Sequence, residues 1–193
     1  MSRLIGRWSE ERTAFFCCDL QQKFAPRIPE WGKIAFIANR FAQVHKALER
    51  KEALYLVTEQ YPQGLGKTAP DILVPSDAHV LEKQRFSMII PEVTALLEKY
   101  RIDNVVLFGI ESHVCVLQTA AELLDANKRV FIPRDGIASQ NREDEDAAVE
   151  LMKTWGPKLV VSTSESIIFQ LARSADDPMF RKLSAIVKER YVK

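Results

Sequence analysis

Three side chains suited to covalent chemistry stand where apolar runs of this chain give way. "TAFFCCDL" (13–20) carries Asp19 near its end, "HVLEK" (79–83) ends on Lys83, and "GIESHVCVLQTA" (109–120) sets Cys115 six positions after Gly109. A thiol can attack, a carboxylate can take and return its proton, and an ammonium can hold negative charge between them. Each also has a plain reading. Asp19 could cap a helix or loop, Lys83 could be a surface charge on a solvated stem, and Cys115 could fill core space, as buried free cysteines often do. Cys17 and Cys18 lie inside an apolar run with no partner near them in sequence, and read as inert core. The choice turns on whether the surrounding elements bring the three residues to one place.

The elements that must do so alternate. "TAFFCCDL" is a continuous apolar run of the kind buried on both faces of a sheet. Ile34, Ile37, Phe41, Val44 and Leu48 follow at 3, 4, 3, 4 spacing, one face of a helix. "ALYLVTE" (53–59) is the next strand, and residues 60–78 form the longest irregular stretch, a length at which loops are usually functional or mobile. "HVLEK" is a short strand, and Pro91 opens a helix with Val93, Leu96, Leu97 and Tyr100 on its apolar side. "NVVLFGI" (104–110) predicts a strand and Val114–Ala126 the helix after it. "RVFIP" (129–133), a turn at Asp135-Gly136, a helix near Glu143–Trp155, the strand "KLVVS" (158–162) and a further helix complete the pattern. Alternating strands and helices imply an α/β fold with right-handed crossovers and a mostly parallel sheet covered on both faces. No repeat or linker interrupts it, so residues 1–193 read as a single domain. Reactive groups of such folds sit beyond the carboxyl ends of the strands, where Asp19, Lys83 and Cys115 all fall.

Composition excludes several classes. Twenty-seven basic and 26 acidic residues leave a formal charge of +1 with no basic stripe, so no nucleic-acid partner is expected. The acidic run Glu143–Asp146 opens a predicted helix, where it complements the helix dipole. Three cysteines are too few and too odd in number for a disulfide framework and point to a reducing compartment. No apolar run approaches the roughly 18 residues of a membrane span. Arg3, Arg7 and Arg12 resemble a mitochondrial presequence, but Glu10 and Glu11 do not belong in one. The expected location is the cytoplasm, with mitochondria as the alternative.

"CCDLQQKF" (17–24), "EKQRFSM" (82–88) and "GIESHVCVLQTA" together resemble the isochorismatase-like cysteine hydrolase superfamily in order, spacing and surrounding residues, over nearly the whole chain. The resemblance implies a three-layer α-β-α Rossmann-like fold with a six-stranded parallel sheet in the order 3-2-1-4-5-6. It implies a non-proline cis peptide between Ile110 and Glu111, and a catalytic set of Asp19, Lys83 and Cys115. Ser112 is a candidate N-cap that places Cys115 in the first helical turn, where free N–H groups and the helix dipole favour an ionised thiol. Asp19 would act as general acid and base, Lys83 as electrostatic partner, and the backbone N–H groups of Glu111 and Cys115 as oxyanion donors. Hydrolysis of a small amide or related acyl compound would pass through a thioester on Cys115. A homodimer or larger homo-oligomer is also implied.

The same resemblance has gaps. Nicotinamidases of the superfamily carry an Asp and two His residues for a metal after the second strand, whereas "VTEQYPQGLGKTAP" (57–70) contains no His. His45, His79 and His113 are too dispersed for a metal site, so no metal and no cofactor are expected. Isochorismatases that cleave a vinyl ether lack the nucleophilic Cys, so Cys115 points away from that reaction. Gln60, Tyr61, Phe24, Phe86 and His113 are candidate walls of the substrate pocket, each with ordinary packing as its alternative. "YPQGLGKT" (61–68) also invites a phosphate-loop reading, but Tyr61 stands at the required first Gly and Pro70 interrupts the helix that should follow. A further alternative is a non-catalytic interaction protein that keeps the fold. The expected partner is a small-molecule substrate.

Overall fold

The computed structural model describes residues 12–48, 53–172 and 174–192; Arg3, Arg7, Glu10 and Glu11, weighed above as a presequence, lie outside them. The strands are β1 (Thr13–Cys18), β2 (Leu54–Gln60), β3 (His79–Lys83), β4 (Asn104–Ile110), β5 (Arg129–Pro133), β6 (Ile137–Ala138) and β7 (Leu159–Ser162). The helices are α1 (Trp31–Leu48), α2 (Pro62–Leu65), α3 (Pro91–Lys99), α4 (Leu117–Asp125), α5 (Arg142–Lys153), α6 (Ser164–Ala172) and α7 (Phe180–Lys188). All strand pairs are parallel, in the order β3-β2-β1-β4-β5-β7, with β6 paired to β4.

β1 lies in the middle of this sheet, and every residue of it is buried. Successive side chains of a strand point to opposite faces, and β1 divides accordingly. Phe15 and Cys17 join the core beneath α1, α6 and α7, whereas Ala14, Phe16 and Cys18 join the core beneath α3, α4 and α5. The stripe expected on α1 is the buried one: Ile34, Ile37, Phe41, Val44 and Leu48 all face the sheet. Burying each such side chain contributes about 1.5–3 kcal/mol, which is what holds the helix layer in place. Among the described residues no helix is long and apolar enough to cross a membrane.

The expected strand order is found, but the sheet has seven strands rather than six. On its β4 side, β5 pairs with Asn104–Val106 and then leaves β4. A turn at Arg134–Gly136 brings the chain back, and Ile137–Ala138 pair with Gly109 and Ile110 at the carboxyl end of β4. The expected turn at Asp135-Gly136 therefore hides a two-residue strand, too short to leave a periodicity. A second correction concerns the predicted helix over 114–126. Ser112–Val116 form a π-helical turn, and the α-helix begins only at Leu117.

Three register pairs place the strand ends. Cys18 lies opposite Thr58 on β2 and Gly109 on β4, and Gln60 lies opposite Lys83 on β3. Gly109 has φ +115°, and a Cβ on it would stand 2.2 Å from the carbonyl oxygen of Cys18. A side chain there would push β1 and β4 apart where the candidate residues meet.

Candidate active site

Asp19 is the first residue past β1, and it turns left-handed (φ 49°) just as the strand ends. Its N–H donates to the Thr58 carbonyl at 3.2 Å, so the backbone stays tied to β2 while the side chain swings over the sheet's edge. Lys83 closes β3, and Cys115 is the fourth residue of the π-helical turn that follows β4. All three are buried: Asp19 is 1% exposed, Lys83 3% and Cys115 7%. Three strand ends thus converge as the sequence predicts. The Ile110–Glu111 peptide bond, at the exit from β4, is cis.

Lys83 is the hub. Its Nζ stands 2.7 Å from Asp19 Oδ2 and 3.6 Å from Cys115 Sγ. It also donates to Gln60 Oε1 at 2.7 Å and to the Phe86 carbonyl at 2.8 Å, with the Arg85 carbonyl at 3.3 Å. An ammonium has three donors, so Asp19, Gln60 and Phe86 define its direction fully and leave the sulfur as an electrostatic neighbour. The other carboxylate oxygen of Asp19, Oδ1, accepts from Thr58 Oγ1 at 2.8 Å. The carboxylate is held from both sides.

The electrostatics follow from burial. Burial pushes the Asp19 carboxyl above its ordinary range, and Lys83 and Thr58 pull against it without cancelling it. A carboxylate with enhanced proton affinity is suited to take a proton from a thiol. Burial by itself would pull the Lys83 ammonium down, but the acidic groups of Cys18, Asp19 and Cys115 around it outweigh that and hold it above its usual value. Lys83 is accordingly the cation of the site. Burial pushes the thiols of Cys17 and Cys18 up, and the Asp19 charge adds to it.

Other candidates fall in different places. Gln60 is at the site through Lys83. Tyr61 is half-exposed; its backbone N–H donates to the Lys83 carbonyl at 2.9 Å, and its ring covers Gly64, so it shapes the turn after β2. Phe86 reaches Lys83 with its carbonyl, and its ring is half-exposed. Phe24 packs against the core on the α1 side of the sheet, and Cys115 belongs to the core on the other side. His113 Nδ1 meets Ser139 Oγ at 2.9 Å, and the Glu111 carboxylate accepts from Gln140 N–H at 2.9 Å, so both flanks of the turn are tied to the segment after β6. Ser112 is not the N-cap expected of it. Glu111 occupies that position in extended conformation with no side-chain cap bond, and Ser112 Oγ is buried with no partner. A serine that is itself the first helical residue has no free N–H of the next turn within its reach.

Cys18 is core, as its sequence predicts, and it has neighbours that the sequence does not reveal. Its Sγ lies 3.6 Å from Asp19 Oδ2, and the ligand-capable atoms of Cys18, Asp19 and Cys115 all lie within 4.8 Å of one another. That spacing suits three donors around one cation, and the Lys83 ammonium already stands 2.7 Å from the carboxylate among them. Gln21 is a further support that carries no signal in the sequence. Fully buried, it donates to the carbonyls of Gln60 (2.9 Å) and Gly66 (2.7 Å) and accepts from Gln60 N–H (2.8 Å), clamping the turn that carries Gln60. Thr119 links Cys115 to the Lys83 segment, donating to the Cys115 carbonyl at 2.6 Å and accepting from Met88 N–H at 2.9 Å.

The phosphate-loop reading of 61–68 finds no support in the contacts. Lys67 pairs with Glu59 (3.1 Å) and Glu82 (2.7 Å), and Thr68 donates through N–H (2.7 Å) and Oγ1 (2.8 Å) to Glu59. The groups a phosphate would need already serve carboxylates. A cleft of about 410 Å³ opens between the start of α1 and the segment after β5, lined in part by Lys33, Arg134, Ser139 and Arg142; Asp19, Lys83 and Cys115 are not among its walls.

The description of the isochorismatase domain matches residues 13–166, a span that includes all three site residues. The chain belongs to the isochorismatase family. Isochorismatase domain-containing protein 1 of Danio rerio is 36% identical over 185 residues, covering 95% of this chain; the chain spans 64% of that relative's length. A Trypanosoma cruzi structure described only as a hypothetical protein superposes with a TM-score of 0.94 at 48% identity, covering 98% of this chain and 97% of the other. A Caenorhabditis elegans structure described as MAR1 ribonuclease superposes with a TM-score of 0.84 at 34% identity, covering 92% and 90%. Membership in the isochorismatase family accounts for the α/β fold and the sheet order.

Proposed function

We propose that this isochorismatase domain is a metal-independent cysteine hydrolase of a small amide or related acyl compound. The observation that carries this reading is the Lys83 ammonium, fixed 2.7 Å from Asp19 and 3.6 Å from the Cys115 sulfur in a buried cluster at three strand ends. Asp19 takes the thiol proton as Cys115 Sγ attacks the acyl carbon, and Lys83 offsets the negative charge retained in the site. The backbone N–H groups of Glu111 and Cys115 receive the oxyanion. As the tetrahedral adduct collapses, Asp19 returns the proton to the leaving amine, leaving a thioester on Cys115. Asp19 then draws a proton from water, the resulting hydroxyl attacks the thioester, and the acid departs as the thiol is restored.

Gln60 and the Phe86 carbonyl are positioning groups in this scheme, because they saturate the Lys83 donors and keep the ammonium from following the substrate. The walls nearest to them, the turn at Tyr61 and the half-exposed ring of Phe86, are the proposed substrate boundary. A homodimer or larger homo-oligomer is the proposed assembly, read out by sedimentation or light scattering.

The test is a turnover screen of the purified chain against a panel of small amides and esters, with Cys115→Ala and Asp19→Asn as controls. Turnover that is lost in both, with a trappable thioester on Cys115 in the parent, is the expected result. Full turnover by Cys115→Ala overturns the mechanism. The ribonuclease description of the C. elegans relative supplies a second reading, so single-stranded and structured RNA belong in the same panel. RNA cleavage without acyl turnover replaces the first reading with the second.

A further inference from the structure

Cys18 is a nucleophilic group for which the hydrolytic scheme has no use, yet it sits beside the nucleophile. Its place follows from strand geometry. Cys17 and Cys18 are neighbours in β1, so their side chains leave opposite faces of the sheet. Cys17 enters the core under α1, while Cys18 shares its core with Cys115. The Cys18 and Cys115 sulfurs lie within 4.8 Å of each other, and a carboxylate oxygen of Asp19 lies 3.6 Å from Cys18 Sγ. All three cysteines are free thiols.

We propose that Cys115 is an oxidation site and that Cys18 is its resolving thiol, so that a hydroperoxide converts the pair into a Cys18–Cys115 disulfide that switches the site off reversibly. Oxidation of a cysteine follows its thiolate character and its access to solvent. Cys115 has an ammonium 3.6 Å from its sulfur and is the one cysteine of the three with any exposed surface. In the first step the Cys115 sulfur attacks the outer oxygen of the hydroperoxide. The S–O bond forms, the O–O bond breaks, and the remaining oxygen leaves as water or an alcohol after taking the thiol proton. In the second step the Cys18 sulfur displaces hydroxide from the sulfenic acid: the S–S bond forms, the S–O bond breaks, and the Cys18 proton, passed through Asp19, leaves with the hydroxide as water. Two electrons have moved from the thiol pair to the peroxide.

Selectivity is built into the same geometry. Burial keeps the Cys18 thiol protonated and unreactive toward peroxide itself, so it acts only once an electrophilic sulfur stands beside it. Cys17 cannot compete, because the sheet lies between it and Cys115. Without a resolving thiol, a sulfenic acid proceeds to the sulfinic and sulfonic acids, which ordinary thiol reductants do not reverse. The arrangement therefore protects the nucleophile.

The experiment uses the full reduced chain and hydrogen peroxide, with peptide mass spectrometry under non-reducing conditions. The expected product is a Cys18–Cys115 linked peptide pair, lighter by two hydrogens. Free thiols fall from three to one per chain, and dithiothreitol restores all of them. Cys18→Ala and Cys18→Ser are treated in parallel, each compared with its own untreated sample. Both are expected to gain two or three oxygens on Cys115 that dithiothreitol does not remove. A parent chain that over-oxidises at Cys115 without the cross-link, or one that pairs Cys115 with Cys17, overturns the proposal. So does a Cys18 variant whose Cys115 recovers under dithiothreitol as fully as the parent's. The readout is mass and thiol count, so the result stands apart from whether the chain hydrolyses amides.

Discussion

Replacing Thr58 by Val removes one hydroxyl donor and leaves the buried shape nearly unchanged. Thr58 is fully buried, its Oγ1 donates to Asp19 Oδ1 at 2.8 Å, and its backbone carbonyl keeps its own bond from Asp19 N–H in the variant. Lys83 still holds the other carboxylate oxygen. The lost hydrogen bond goes to a charged group, a class that contributes about 1.5–3 kcal/mol. It favours the carboxylate over the carboxyl, so its removal adds to the upward push that burial already exerts on Asp19. At roughly 1.36 kcal/mol per factor of ten, the ionised fraction of Asp19 on the acid side falls about 10- to 150-fold. The pH profile of kcat/KM on any amide or ester that the parent turns over reads this directly, since it reports the groups of the free enzyme. The acid limb of Thr58→Val should move to higher pH, with kcat/KM reduced by that factor below the limb and restored on the plateau above it. An unchanged limb, or a loss of the same size at every pH, refutes the assignment of Asp19 as the base and leaves Thr58 a packing residue.

Lys83→Met leaves Asp19 buried without its cation, and breaking such a pair costs about 3–5 kcal/mol near neutral pH. The loss of Lys83 raises Asp19 further above its unfolded value, so stability is retained at low pH and lost as pH rises through the folded-state value; urea unfolding should show the gap to the parent narrowing toward pH 4, and a pH-independent gap refutes the pairing. Lys83→Arg should rescue turnover poorly, because a planar guanidinium cannot serve Asp19, Gln60 and Phe86 from one atom; parent-like kcat in Lys83→Arg refutes the hub. Gly109→Ala drives a Cβ to 2.2 Å from the Cys18 carbonyl oxygen at a positive φ, and overpacking of this kind costs at least about 1–3 kcal/mol. A thermal or denaturant midpoint within error of the parent's refutes the close approach of β1 and β4. Exhaustive chelation should leave turnover intact, because Lys83 stands where a cation would approach Asp19 and the 57–70 segment holds no His. Activity that returns only with zinc, manganese or iron refutes that reading.

The parallel sheet was legible because its central strands β1, β2 and β4 are buried on both faces and its helices on one. β1 and β4 are apolar after their first residues, Thr13 and Asn104, and the α1 stripe has a clean helical period. β6 was not legible, since two residues carry no period and its pairing depends on where β5 leaves β4. The π-helical turn at Ser112–Val116 was hidden for a similar reason: helical spacing cannot separate one wide turn from the first turn of an α-helix. At the site, Asp19, Lys83 and Cys115 were visible because each falls at or just past the end of a strand. Their supports were not. Thr58 and Gln21 look like any polar residue near a strand end, and the bonds that matter span 39 to 45 positions of sequence.

Cys18 shows the limit most sharply. As a type it belongs in a core, and it is fully buried, so its sequence reading is right about burial. What the sequence could have supplied is parity. Counting back from Asp19, the last residue of β1 is Cys18, and the residue alternation places it on one face and Cys17 on the other. The face that carries Cys18 is the one covered by the helix after β4, because Val116, Ala120 and Leu123 of that segment pack there. A cysteine at the end of the central strand, on the face covered by the segment that carries Cys115, comes close to Cys115. Burial says that Cys18 is protected from solvent; parity decides which sulfur it meets.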